Sequence, residues 1–181
     1  MISYEEFGVR FFEHALTAER IAGALSGLVG APFEVGPLAA GPGKVAQVTA
    51  TGSARTPTAV RTARSPATFR AWIPVDLALT ITLGGQAHRF TADLGVPLVL
   101  TAQAAEPLRI VLDITPPTRH EIELRLEADG MRATFLKLVA GIDDELKRFV
   151  ARHVAKEVTK PAVQRARVID VAALIDRAVS D

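Results

Sequence analysis

The sequence predicts an α+β fold: an antiparallel meander of about six strands curved over a long amphipathic C-terminal helix, preceded by an N-terminal helical segment. Three observations predict it. Apolar residues recur at steps of three and four near the N-terminus and again over 131–160, the spacing of helices buried along one stripe. Between these regions, over 44–128, the period changes to two, the spacing of strands with one dry and one wet face. Connections of hairpin length separate these strands, so neighbours are antiparallel. The whole, at 181 residues, reads as a single domain with helices over 1–30, sheet over 44–128, long helix over 131–160 and terminal helix over 170–180.

Taken in order, Ser3 and Glu6 have the spacing of a capping box, with Tyr4, Phe7, Phe11 and Ala15 as the stripe behind it. Thr17 caps a second helix carrying Ala18, Ile21, Leu25, Leu28 and Val29, either separate from the first or continuing it through a bend. Residues 30–43 hold four Gly and three Pro and read as loop or edge backbone. Val45–Gly52 is a weak strand, and Ser53–Thr68 a mobile loop or irregular edge. Phe69–Leu83 is a clear strand, with Ile73, Val75, Leu77, Leu79, Ile81 and Leu83 on one face, and Pro74 either kinks it or marks an edge. Gly84-Gly85 turns the chain into His88–Leu94, after which Val96–Ala104 and Leu108–Thr115 follow. Glu121–Ala128 alternates strictly, with Ile122, Leu124 and Leu126 inward. From Asp129-Gly130 the last strand feeds the long helix, whose stripe is Phe135, Leu138, Val139, Ile142, Leu146, Phe149, Val150, Val154 and Val158. Pro161 stops it, and Gly141 is a point at which it could divide. Asp143 with Lys147 and Asp144 with Arg148 are acid-before-base pairs that support its outer face. Residues 162–168 read as a linker, and Asp170 caps a short helix with Val171, Leu174, Ile175 and Val179.

Composition excludes several classes. With no cysteine there is no disulfide framework, thiolate nucleophile or zinc–thiolate site. The acidic start, Met1 to Glu6, is not a signal peptide, and the longest uncharged apolar run, Leu94–Ala102, falls short of a membrane span; a soluble cytoplasmic protein is the expectation. The net charge of +1 conceals a basic tract. Lys147, Arg148, Arg152 and Lys156, with Lys160, Arg165 and Arg167 beyond, face Glu157 alone. They read either as a solvated helix face or as a landing site for an anionic membrane surface or acidic partner. Nucleic acid is not expected, because no aromatics interleave with these charges.

Catalytic and cofactor chemistry is largely missing. The Gly-rich stretch Gly36–Lys44 is no phosphate loop, since Pro42 stands where Lys is required and its prolines remove the amides that would cradle phosphate. His14, His88, His120 and His153 have no metal-ligand spacing, so neither metal nor cofactor is expected, and His153 reads as a core-edge histidine. No nucleophile elbow occurs. Asp76, Asp93 and Asp113 lie mid-strand opposite the apolar face, either facing water or, in a sheet closed the other way, supplying acid/base pairs.

The order helix, antiparallel meander, long helix resembles the tubular lipid-binding superfamily, which includes the bactericidal permeability-increasing-like and synaptotagmin-like mitochondrial lipid-binding domains. The resemblance covers Thr17–Pro161. It rests on Ala18–Val29, on Phe33-Glu34-Val35-Gly36-Pro37-Leu38, on the strands Phe69–Leu83 and Val96–Val99, and on the helix Phe135–Val158. It implies a bent sheet enfolding a helix, with acyl chains in the seam. The Pro- and Arg-rich segment Ser53–Thr68 departs from it, since a long regular strand belongs there.

The leading functional reading is a non-enzymatic binder or carrier of a hydrophobic or amphipathic small molecule such as a lipid, isoprenoid or polyketide. Leu77, Leu79, Ile81, Leu98, Leu100, Leu124 and Leu126 would form the sheet wall, faced by Leu138, Ile142, Leu146 and Phe149. The alternatives are a cofactor-independent cyclase or isomerase using Asp76, Asp93 or Asp113, and an interaction module with a filled core that self-associates as a homodimer.

Overall fold

The caps read from the sequence open the helices. The structure, a computed structural model, describes the backbone of residues 1–28, 32–127 and 133–180 and, except at 28, 42, 127, 133–140 and 178–180, their side chains. Ser3 Oγ accepts the Glu6 amide at 3.0 Å at the start of α1 (Tyr4–Ala15), and Thr17 Oγ1 accepts the Arg20 amide at 3.3 Å at the start of α2 (Ala18–Leu28). Leu16 between them is extended and buried, so they are two helices. Arg20 donates to the His14 and Ala15 carbonyls at 3.0 and 2.9 Å, and Arg61 donates to the Leu16 carbonyl. Both cations thus sit at the negative end of the α1 dipole. The Arg61 guanidinium also lies 4.7 Å from the centroid of the Phe69 ring, which fastens the helical pair to the sheet.

The sheet has eight strands: β1 (Phe33–Ala40), β2 (Ala46–Ala54), β3 (Thr58–Arg64), β4 (Ala67–Leu83), β5 (Gln86–Ala105), β6 (Arg109–Thr115), β7 (Glu123–Glu127) and β8 (Val168–Asp170). All pairs are antiparallel, and the sheet curls into a half-barrel. Its spine is the β4–β5 hairpin, turned by Gly84 and Gly85 at φ +56° and +81° and paired from Leu83↔Gln86 to Thr68↔Thr101. Positive φ at both turn positions matches the right-handed twist of the strands, and glycine adopts it without strain.

Three sequence expectations are corrected here. The segments His88–Leu94 and Val96–Ala104 are one strand of 20 residues, because Gly95 stays in register opposite Pro74. The arrangement is also not a simple meander. The spine strands are longer than any one partner, so each carries two short strands end to end: β2 and then β3 along β4, β7 and then β6 along β5. For the two ambiguous tracts the edge alternative holds: Ser53–Thr68 contains β3, which pairs with β4 through an irregular register, and residues 30–43 contain β1, the terminal strand of the sheet, and a 3-10 turn at Pro42–Lys44. Lastly, 162–168 is no linker: Pro161 is the first residue of α4 (Pro161–Ala166), as its fixed φ and missing N–H favour, and β8 then pairs with β6.

Pro74 stands where β2 gives way to β3. Its carbonyl accepts the Arg55 amide at 2.8 Å, and its nitrogen faces the same gap, where no ladder partner needs a donor.

Helix α3 (Ala133–Glu157) passes Gly141 without a break and lays its stripe on the concave face. Ile142, Leu146 and Val150 are buried among the inward residues of β4 and β5, each contributing roughly 1.5–3 kcal/mol. The expected helix start at Asp129-Gly130 lies outside the described residues. Gly141 is a point of close approach: a Cβ there would meet the Gly41 Cα at 3.0 Å. Helix α5 (Val171–Ser180) closes the chain, with Asp170 Oδ1 accepting the Ala173 amide at 3.0 Å. Among the described residues, no helix is long and apolar enough to cross a membrane.

Candidate functional site

Between the concave face and the second half of α3 lies a cavity of about 410 Å³. Its floor is the middle of the spine, where the cross-strand pairs Ile73↔Val96 and Val75↔Leu94 flank Pro74↔Gly95. Leu98, Ala54 and Ile114 extend the floor, Leu25 of α2 closes one side, and Phe149, Val150, Val154 and Val163 form the roof. Glycine inside a strand leaves a site that another group must cover. At Gly95 the Trp72 indole covers it from the outer face, and at Gly52 the Phe33 ring covers it from inside. Phe33 thereby becomes a wall of the cavity.

That wall continues onto the helix. The His153 ring stacks on Phe33 and on Phe149, at centroid distances of 5.7 and 5.9 Å, and so ties β1 to α3. His153, Glu157 and Lys160 supply the charged and polar side chains of the lining. Lys160 Nζ lies 2.6 Å from Glu157 Oε1, and His153 Nε2 lies 3.7 Å from the same oxygen. Their side chains are 34%, 37% and 52% exposed in the order His153, Glu157, Lys160, whereas Leu94 and Leu98 are buried. The exposed polar end is therefore the mouth and the apolar end the interior.

Of the residues expected to form a binding wall, Leu98 and Phe149 line this cavity. Leu77, Leu79, Ile81, Leu100, Ile142 and Leu146 are buried in the filled part of the same core. Leu124 and Leu126, on the short β7, pack partly buried against that core. The side chain of Leu138 lies outside those described. Phe33, Leu94, Val96 and His153 belong to the lining and were not expected there. Periodicity marks every inward residue alike, so it carried no sign of which of them border the hollow.

For the three aspartates the water-facing alternative holds. Asp76 and Asp93 are cross-strand partners on the outer face, both more than half exposed, and Arg55 bridges them at 3.1 and 3.2 Å. Asp113, also mostly exposed, lies 4.0 Å from Arg167. Strand alternation turns all three away from the cavity, so none can act on a molecule inside it. A more open hollow of about 500 Å³ runs over this outer surface, beside Asp76, Asp93 and the β2 backbone.

The basic face is also largely neutralised. Lys147 pairs with Asp143 at 3.0 Å, and Arg148 pairs with Asp144 and with Glu145. Arg119 from the loop before β7 joins Asp144 at 3.0 Å. Of the four cations expected to form a landing site, only Arg152 and Lys156 have no ion pair among the described residues. No group of three or more His, Asp or Glu residues placed to hold a metal occurs among the described residues.

No protein-family model and no curated protein matches this chain. Among solved structures, the chain is similar to the crystal structure of lipopolysaccharide binding protein, at 7% identity and a TM-score of 0.35. The match covers 89% of this chain and 39% of that one, so the chain spans well under half the length of the structure it matches.

Proposed function

We propose that the protein binds a hydrophobic or amphipathic small molecule in the seam between the curled sheet and α3, without transforming it. One observation carries this reading: an apolar cavity of about 410 Å³ between sheet and helix, with its polar side chains gathered at one exposed end. Burial of an acyl or isoprenoid chain at about 25 cal/mol per Å² would supply most of the affinity, and the mouth would set orientation. The separation of Asp76, Asp93 and Asp113 from the cavity removes the acid/base groups that a cyclase or isomerase reading requires. A lipid-type partner is the reading this arrangement supports, in keeping with the tubular lipid-binding resemblance of the sequence.

The test is organic extraction of freshly purified protein with mass spectrometry, paired with native mass spectrometry and titration of a fluorescent acyl probe. A stoichiometric co-purified lipid, or saturable probe uptake at one site per chain, is expected. A clean apo mass together with no probe uptake would refute the proposal.

A further inference from the structure

We infer that the ligand is a single-chain carboxylic acid, its chain lying along the apolar cavity and its carboxylate held at the mouth by Lys160 beside His153; this rests on the binding reading above. Two independent observations lead there, the size of the cavity and the free ammonium donors at its mouth. A water-sized group takes up roughly 30 Å³ in a liquid, so a cavity of about 410 Å³ has room for roughly 14 methylene-sized groups. That suits one acyl chain and leaves no room for a second of the same length.

The mouth selects the head group. An ammonium has three donors, and Glu157 at 2.6 Å engages one of those on Lys160, which leaves the others free to hold a second carboxylate. The lining's charged groups at this end are Glu157 and Lys160, while Arg152 and Lys156 stand exposed on the same last turns, outside the lining. The Glu157 carboxylate is already occupied by Lys160 and approached by His153 Nε2 at 3.7 Å. A carboxylate head can accept from the Lys160 donors that Glu157 leaves free, whereas a quaternary ammonium head has no acceptor to offer them. The stacked ring of His153 sets one side of the opening, between Phe33 and Phe149, and keeps its edge nitrogen near the same oxygen.

Calorimetric titration of the full chain with tetradecanoate, tetradecanol and dispersed dimyristoyl phosphatidylglycerol separates the possibilities. Lys160→Met keeps the apolar stem at a half-exposed position and removes only the charge. Tetradecanoate should bind wild type about tenfold more tightly than tetradecanol, and Lys160→Met should abolish that difference by weakening the acid alone. Lys160→Arg should restore most of the preference. Equal binding of acid and alcohol, unaffected by Lys160→Met, would overturn the head-group assignment while leaving the cavity reading intact. Tighter binding of the two-chain lipid would overturn the single-chain assignment. Failure of all three probes to bind wild type would overturn both the inference and the reading beneath it.

Discussion

Ala54 and Ala50 make a matched test of whether the space under the helix is usable volume. Both lie on β2, and both pack on the concave side, but Ala54 lines the cavity and Ala50 is buried in the filled core opposite Leu79. Leucine adds three carbons at either site. At Ala54 they enter the cavity and occupy up to about 90 Å³, roughly a fifth of its volume, at about 30 Å³ per group. Each buried methylene is worth about 0.8 kcal/mol, so Ala54→Leu should be neutral or stabilising by up to about 2 kcal/mol. At Ala50 the same carbons meet packed atoms, and overpacking of that kind costs about 1–3 kcal/mol. Urea unfolding should therefore separate the two variants by roughly 1–5 kcal/mol. A ligand readout follows from the same volume. In a displacement series of saturated fatty acids, Ala54→Leu should shorten the preferred chain by about three methylenes, while Ala50→Leu, wherever it remains folded, should leave the preference unchanged. Equal destabilisation by both variants, with no change in chain-length preference, would show that the space is not available to a guest.

Two further outcomes follow from the structure. Gly141→Ala gains helix propensity but places its Cβ 3.0 Å from the Gly41 Cα, a backbone atom, so it should lower the thermal midpoint. Gly8→Ala in α1 meets nothing within 4 Å and should instead stabilise by about 0.5–1 kcal/mol. A parallel response of the two variants in thermal melts would contradict the packing described for α3. The Glu121 carboxyl is held below the ordinary glutamate value, first by the Thr118 amide and then by the Thr118 hydroxyl, each donating at 2.8 Å. A depressed folded-state value means that the stabilisation is complete above the unfolded glutamate pKa and is lost as pH falls through the lower folded one. Carboxyl NMR should place the Glu121 midpoint below that of an unperturbed glutamate, and Thr118→Ala should move it upward; an unmoved midpoint would remove the hydroxyl's share.

Local physics made much of this protein legible from its residues. The caps at Ser3, Thr17 and Asp170, the Gly84-Gly85 turn, and the inward phase of β4 through Ile73, Val75, Leu77, Leu79 and Ile81 depend on chemistry within a few residues or on a period of two. The buried face of α3 at Ile142, Leu146 and Val150 was legible for the same reason. The pairing of strands was not. That β2 lies along one half of β4 and β7 along one half of β5 is settled by register between residues as far apart as Ala46 and Leu83 or Thr91 and Glu127, and β3 is too polar and too exposed on both faces to announce itself by alternation.

The site divides in the same way. Alternation identified the apolar face, placed Asp76, Asp93 and Asp113 on the opposite one, and included Leu98 and Phe149 among the candidates. It had no means of telling the hollow part of that face from the filled part, because Leu79 and Leu98 have the same local pattern. The tertiary structure decides this: the sheet curls, α3 crosses it, and side chains from five strands and three helices of differing length fail to meet over the Pro74–Gly95 pair. Hydrophobic patterning determines which way a side chain points, whereas the distance to what it faces is set by elements far away in the chain.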